Sequence, residues 1–334
     1  MKVIVDAMGG DNAPGAIIEG CVLGLKDHPD MHITLTGSEE VIRAELAGYD
    51  HDASRINVVN TTEVIDMAEP AVEAIRKKKD SSMVVGLNLL KQGEGSVFIT
   101  AGSTGAAISG ATLIVRRLKN VKRPALAPML PTRTGRALLI DCGANAEVRA
   151  SFLAQFALMG SIYMEKVEGI KNPRVGLVNN GTEAEKGTDL TKQAYKLIEK
   201  MPVNFCGNAE GRDIVSGEFD VIVTDGFTGN VILKHTEGLA GTLMHMLKKE
   251  LKSSLRTKIG AALAMPAFKN FKKSMDYTEY GGALLLGVNG GVVKAHGSSN
   301  AKAIRSTLRQ AAEFIGGDVV GMIKKEISRI SLDD

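Results

Sequence analysis

The chain has 334 residues, 44% of them hydrophobic and 24% charged, with a formal net charge of +3. That is enough apolar content for a sizeable core, and too little excess charge for a nucleic-acid-binding stripe. No Trp and only 4% aromatic residues also argue against stacking platforms for bases, so no nucleic-acid partner is expected.

The start, MKVIVDAMGGD, carries one lysine, a short apolar strand and a glycine turn. It lacks the longer apolar region of a signal peptide, and no run of about 18 apolar residues follows that would span a membrane. Cys21, Cys142 and Cys206 lie far apart, in no metal-binding spacing, and read as reduced thiols. The expected location is the cytoplasm.

In chain order one unit recurs: a β-rich run, a loop of Gly, Asn, Ser or Thr, then a stretch with helical period. KVIVDAMGGDNAPGAIIEGCVLGL comes first and SVFITAGSTGAAISGATLIVRRL second. ALLIDCGANAE, RVGLVNNGTEAEKGTDLTKQAYKLI, VNFCGNAEGRDI and DVIVTDGFTGNVILKHTEGL follow, and GGVVKAHGSSNAKAIRSTLRQAAEFI is last. Strands alternating with helices predict an α/β fold with a largely parallel sheet. No internal repeat, low-complexity tract or linker divides residues 1–334. Two regions break the pattern. Residues 235–276 read as two helices joined by an apolar tip near 259–268, a projecting helical hairpin inserted in the domain. YTEYGGALLLGVNGGVVKAHG reads as two strands around a tight VNGG turn.

In a parallel sheet the loops after the strands share one edge, and ligands bind there. The polar loops, scattered from Asp6 to Ser299, are therefore expected to converge on one cleft. None fits G-x-x-x-x-G-K-[ST] or G-x-G-x-x-G, so neither a P-loop nor a dinucleotide fingerprint is present, and no cofactor is expected. TAGSTGA offers Ser103, Thr104 and Gly105 at a helix start. TDGFTGN offers Thr228, Gly229 and Asn230, and AHGSSN offers Ser298 and Ser299 beside His296. Bare backbone, hydroxyls and free helix N–H groups suit a phosphate-like anion. The same residues also serve as ordinary helix caps and tight turns. Asp6, Asp11, Asp141, Glu183, Glu210 and Asp225 are the loop acids; Lys186, Arg212, Lys234 and His296 are the loop bases. This mixture suits a polar substrate whose charge changes during reaction. No tight acidic or histidine cluster suggests a metal. Cys142 in DCGAN is a nucleophile by residue type, but a lone Cys at a strand end reads first as a small core residue.

Taken together and in this order, VDAMGGD, TAGSTGA, DCGAN, NNGTEAEKG, TDGFTGNV, YGGA and KAHGSS resemble the motifs of the bacterial phosphate acyltransferase (PlsX) family over nearly the whole chain. TAGSTGA has Ser103 where that family often has Asn. The resemblance implies a fold similar to phosphotransacetylase and the isocitrate and isopropylmalate dehydrogenases, a three-layer αβα sandwich of two intertwined subdomains around one mixed sheet. It implies a homodimer at the inner face of the cell membrane, and a reaction of acyl-[acyl-carrier-protein] with inorganic phosphate, giving acyl phosphate for phospholipid synthesis. Its motifs add Gly9, Gly10, Asp11, Asn145, Asn180 and Thr182 to the candidate phosphate- and substrate-binding residues.

Phosphate is itself a nucleophile, so the site needs to orient it, stabilise an oxyanion and help a thiolate leave. Lys186 and His296 are the candidates for charge stabilisation or proton transfer, with Asp225 orienting one of them or acting as base in the reverse direction. Lys248, Lys249, Lys252, Arg256 and Lys258 along one helical segment, with Lys269, Lys272 and Lys273 on the next, suit an acidic carrier protein or anionic lipid. The rival readings are a phosphotransacetylase acting on acyl-CoA, a decarboxylating dehydrogenase and a non-enzymatic anion-binding module.

Overall fold

β1 (Lys2–Asp6) sends Val3 and Val5 into one apolar cluster and Ile4 into another. A strand buried on both faces belongs to a sheet covered by helices on both sides. This computed structural model describes residues 1–275 and 280–330, and at 270 and 272–275 the backbone alone.

After β1 come α1 (Gly15–Asp27), β2 (His32–Gly37), α2 (Glu39–Leu46), β3 (Ile56–Asn60), α3 (Ala71–Lys77), α4 (Ser82–Gln92), β4 (Val97–Thr100) and α5 (Thr104–Gly110). The middle of the chain forms β5 (Ala125–Ala127), β6 (Met129–Thr132), β7 (Gly135–Ile140), α6 (Ala150–Lys166), β8 (Arg174–Val178), α7 (Asp189–Ile198), β9 (Asn204–Ala209) and β10 (Val221–Val223). The remainder is α8 (Gly226–Leu251), α9 (Leu255–Leu263), α10 (Met265–Met275), β11 (Ala283–Leu286), β12 (Gly291–Lys294), α11 (Ala301–Gly316) and α12 (Val319–Ile327).

The α/β class read from the sequence holds, and parallel pairing dominates. The strands form two sheets where one was expected. The first runs β3-β2-β1-β4-β12-β11-β5 and is parallel as far as β12; β11 pairs antiparallel with both its neighbours. The second runs β6-β7-β10-β8-β9, with only β6 antiparallel. The sheets meet along 125–132. Pro128 has no N–H, so the ladder breaks between β5 and β6 and the segment passes from one sheet to the other. Cys142 N–H donates to the Leu126 carbonyl at 2.8 Å and Leu139 N–H to the Pro128 carbonyl at 3.0 Å, stitching the seam.

The expected tight hairpin is present as β11 and β12, with Leu284 opposite Val293; its first residues, 277–279, lie outside the described residues. The helical projection differs from the expected pair of helices. Its first helix, α8, starts at Gly226 and runs 26 residues. The break falls at 252–254, where the Ser254 side chain accepts from Thr257 N–H and caps α9. The apolar run near 259–268 is itself helical, divided between α9 and α10, because Pro266 lies in the first turn of α10 where no N–H is needed. The last residue of the expected hairpin, 276, is outside the described residues. Among the described residues no helix is long and apolar enough to cross a membrane.

Candidate active site

β1, β4 and β12 are neighbours, so the loops after them meet. Asp6 ends β1 fully buried, accepting from Thr100 Oγ1 at 2.7 Å and Met8 N–H at 3.2 Å. Burial pushes its carboxyl up from the usual range. A Cβ on Gly9 would stand 2.6 Å from Asp6 Oδ2 and 2.8 Å from Gly102 N, and Gly10 holds φ +106°. Only glycines let these loops lie so close. Asp11 N–H donates to the Gly297 carbonyl at 2.8 Å, and Asn12 Nδ2 to the Ser298 and Ser299 carbonyls at 3.1 and 3.2 Å. Ser103 is buried and caps α5, accepting Ala106 N–H at 3.4 Å.

In the second sheet, Asp141 anchors the loop after β7. Its carboxylate accepts from Leu126 N–H at 2.8 Å, Ala144 N–H at 3.1 Å, and Asn145 N–H and Nδ2 at 2.7 and 2.9 Å. Asn145 Nδ2 also donates to the Pro124 carbonyl at 2.7 Å, so both its amide hydrogens serve the loop itself. The start of α8 rests on this loop. A Cβ on Gly226 would lie 2.6 Å from the Asn145 carbonyl oxygen, and one on Gly229 1.9 Å from that of Asp141. The bare backbone of TDGFTGN is therefore needed first for packing. Asp225 caps α8: its carboxylate accepts Thr228 N–H at 2.8 Å and Thr228 Oγ1 at 2.7 Å.

A cavity of about 370 Å³ opens between the two sets of loops. Asp11, Thr104 and residues 294–297 line it from the first sheet; Cys142 and one face of α8, made of Asn230, Leu233, Lys234 and Glu237, line it from the second. Leu126, Pro128 and Met129, at the seam, give it an apolar wall. Lys234 Nζ pairs with Glu237 at 2.8 Å. His296 Nδ1 lies 2.8 Å from Ser298 Oγ and accepts Ser298 N–H at 3.2 Å. A backbone N–H can only donate, so in the neutral ring the proton sits on Nε2. Burial is the main cause of a pKa lowered below the ordinary histidine value, opposed by Glu237.

The cavity thus brings together Asp11, Thr104, Asn230 and His296 of the candidate catalytic and binding residues, with the loop base Lys234 and Cys142 beside them. Asp225 and Thr228 line a neighbouring hollow with Glu147, Leu190 and Phe227. Asn180, Thr182 and Lys186 sit exposed on the loop after β8 and are not among the residues that line the cavity. Ser299 is buried, Ser298 is exposed, and Gly105 is exposed with its open face towards Ala71. Lys234, expected in a loop, stands on α8. Cys142 is buried, and its thiol is pushed well above its usual range by burial and by the charges of Asp141 and Glu237. That is the setting of a core residue, because a thiolate is disfavoured there.

Sequence reasoning missed Lys294 and Glu237. Lys294 is the last residue of β12, only 8% exposed, and donates through Nζ to the Ala101 carbonyl at 3.1 Å and to that of Ala295. Burial pushes its pKa down to about 8. The available signal was a lysine closing an otherwise apolar strand, GVVK, just before the His296 loop. Among the described residues no group of three or more His, Cys, Asp or Glu comes together to hold a metal.

A family model described as fatty acid synthesis protein matches residues 1–322. The chain is similar to the phosphate acyltransferase of Clostridium tetani, 50% identical over 330 residues covering 99% of each chain. It is similar also to that of Alkaliphilus oremlandii, 51% identical over 334 residues, 100% of this chain and 99% of the other. A solved phosphotransacetylase from Streptococcus pyogenes has the same fold, with a TM-score of 0.62 at 18% identity over 96% of this chain and 94% of that one. A 4-hydroxythreonine-4-phosphate dehydrogenase from Burkholderia phymatum aligns with a TM-score of 0.50 at 13% identity, over 93% and 97% of the two chains.

Proposed function

The chain belongs to the phosphate acyltransferase family, enzymes that move an acyl group from a thioester to inorganic phosphate, and we propose that its donor is long-chain acyl-[acyl-carrier-protein] and that its acyl phosphate serves phospholipid synthesis. The observation that carries this reading is the mixed lining of the cavity. Lys234, Lys294 and His296 line it together with the apolar Leu126, Pro128, Met129 and Leu233. An anion suits the first group and an acyl chain the second. Phosphate attacks the thioester carbonyl directly, so no covalent enzyme intermediate is needed. Thr104 and the loops around Gly9, Gly10 and Asp11 hold the phosphate. His296, through Nε2, and Lys186, from its exposed loop, stabilise the charge of the tetrahedral intermediate. Asp225 acts by holding the first turn of α8, which presents Asn230.

The projecting helices supply the docking surfaces in this reading. Leu239, Leu243, Met246 and Leu247 form an exposed stripe along α8 at helical spacing, fitted to a second copy of the chain. On α9, Leu255, Ile259 and Leu263 are 77%, 64% and 80% exposed. Exposed Lys248, Lys249, Lys252, Arg256, Lys258 and Lys269 surround them; the side chains of Lys272 and Lys273 lie outside the described residues. An apolar tip with a cationic rim suits an anionic membrane surface, and the same charge suits an acidic carrier protein.

Mass spectrometry of reactions with acyl carrier protein thioester, acyl-CoA or NAD and a hydroxy acid, each with and without phosphate, tests the donor. Phosphate-dependent acyl phosphate from the carrier-protein thioester is expected, with acyl-CoA much the poorer donor. Equal or faster turnover of acyl-CoA would favour the phosphotransacetylase-like alternative.

A further inference from the structure

Lys294 is a buried cation with a place in the cavity wall, and among the described residues no carboxylate is bonded to it. β12 pairs with β4 so that Lys294 stands opposite Thr100. Its Nζ spends two hydrogens on the Ala101 and Ala295 carbonyls. An ammonium has three, and among the described residues no third acceptor binds it. It lines the cavity together with Asp11 and His296. The charged groups around it are Asp6 at the end of β1, Asp11 in the next loop, and Lys234 and Glu237 on α8, with His296 two residues along its own loop.

We propose that Lys294 is the proton carrier of the acyl transfer, protonating the leaving sulfur and recovering its proton from the phosphate. The inference rests on the thioester-to-phosphate reaction given above. Monohydrogen phosphate attacks the carbonyl carbon, a C–O bond forms, and the carbonyl becomes an oxyanion. As the oxyanion collapses the C–S bond breaks, and the sulfur takes a proton from the Lys294 ammonium. The neutral amine then removes the P–OH proton of the acyl phosphate, which is more acidic than that of phosphate because another oxygen on the same phosphorus now carries an electron-withdrawing acyl group. The products are acyl phosphate dianion, neutral thiol and the Lys294 ammonium, so protons and charge balance.

The chemistry of the two partners is matched. The cysteine side chain, an alkyl thiol, has a pKa of about 8.5, and burial brings Lys294 to about 8. A donor and an acceptor of nearly equal pKa exchange a proton with little driving force lost in either direction. An ordinary lysine at about 10.4 would be a weaker acid towards the sulfur. The two carbonyls that hold Nζ fix its position without neutralising it.

Leaving-group dependence separates this role from a structural one. The probes are a decanoyl thioester of an alkyl thiol, N-acetylcysteamine, and one of an aryl thiol, 4-nitrothiophenol, whose thiolate leaves without a proton. Lys294→Gln and Lys294→Arg should lose about 100-fold or more in kcat/KM on the alkyl donor and less than about tenfold on the aryl donor. Arginine keeps the charge but is too weak an acid to give the proton up. Equal losses on both donors, or full activity of the arginine variant on the alkyl donor, would overturn the proposal. Wild-type enzyme supplies a test that needs no variant. Activity on the alkyl donor should fall as pH rises through the Lys294 pKa, which lies at about 8 or somewhat higher once phosphate is bound. That limb should vanish with the aryl donor, and its persistence there would overturn the role. If the wild type makes no acyl phosphate from any thioester, including that of acyl carrier protein, the reaction itself fails. If it makes acyl phosphate without leaving-group dependence, only Lys294 does.

Discussion

Gly229 presses against the main-chain carbonyl of Asp141, with 1.9 Å between that oxygen and the place a Cβ would take. The contact sets the first turn of α8, and so the positions of Asn230 and Lys234 in the cavity. Gly229→Ala puts a methyl group into backbone that cannot move away without shifting the helix. A loss of about 3 kcal/mol is expected, at the upper end of overpacking costs. The measurement is a urea midpoint that falls with no change in slope. Acyl phosphate formation should fall with it. A variant with wild-type stability would show that α8 is not held by this contact.

His296 is expected to be neutral at pH 7, because burial lowers its pKa from the ordinary value of about 6.5. Where the unfolded chain binds the proton and the folded chain does not, stability rises with pH. The contribution of His296 is therefore fully present above pH about 6.5 and is lost as pH falls through its lowered folded value. An NMR titration of its ring protons should show a midpoint below 6.5, and one above would contradict the burial argument.

Proposed charge stabilisation by Lys186 and His296 has a kinetic signature. Lys186→Ala and His296→Ala should each lower kcat and kcat/KM together by at least about tenfold, roughly 1.4 kcal/mol. If only the KM for phosphate rises, the residue binds the ground state instead. Wild-type kinetics in a folded variant would remove it from the mechanism.

Cys142 lines the cavity but is held as a thiol. Cys142→Ala is expected to stay within about tenfold of wild-type activity, since one small buried atom is lost and no nucleophile. Intact-protein mass spectrometry during turnover should find no acyl adduct there. A stoichiometric acyl-enzyme on Cys142 would replace direct attack by phosphate with a two-step route.

Leu263 ends α9 and Met265 begins α10, both exposed at the outer end of the projection. Leu263→Glu with Met265→Glu should abolish flotation with vesicles rich in anionic lipid while leaving acyl phosphate formation in solution intact. Each acidic residue opposes both the apolar contact, worth about 25 cal/mol per Å², and the attraction of the lysine rim. Continued flotation would mean that the tip is not the anchor, and loss of dimerisation would make it a structural element.

Local chemistry made much of this molecule legible from its sequence. The continuous apolar run in KVIVD, buried from Val3 to Asp6, with Gly, Asn, Ser and Thr loops following each such run, reports strand-then-helix units because strand preference and turn residues act within a few positions. The parallel strands that follow from those units put Asp11, Thr104 and His296 just after strand ends and Asn230 near the start of the helix after β10, where they do line one cavity. The ordered motifs carried the family as well. The start of α8 was harder to read, since its opening glycines signal both a cap and a loop.

Tertiary structure alone decided which loop residues face the cavity. Lys294 is tied to Ala101 across 193 residues of sequence, through a strand pairing that no local pattern encodes. Burial then set its acidity, and acidity comes from the solvent a group has lost and the charges beside it, not from residue type. Asp225 and Asn145 illustrate the reverse: each has the residue type of a ligand, and each spends its hydrogen bonds on the fold. Only the packed chain allocates those bonds, because the competing partners come from segments distant in sequence.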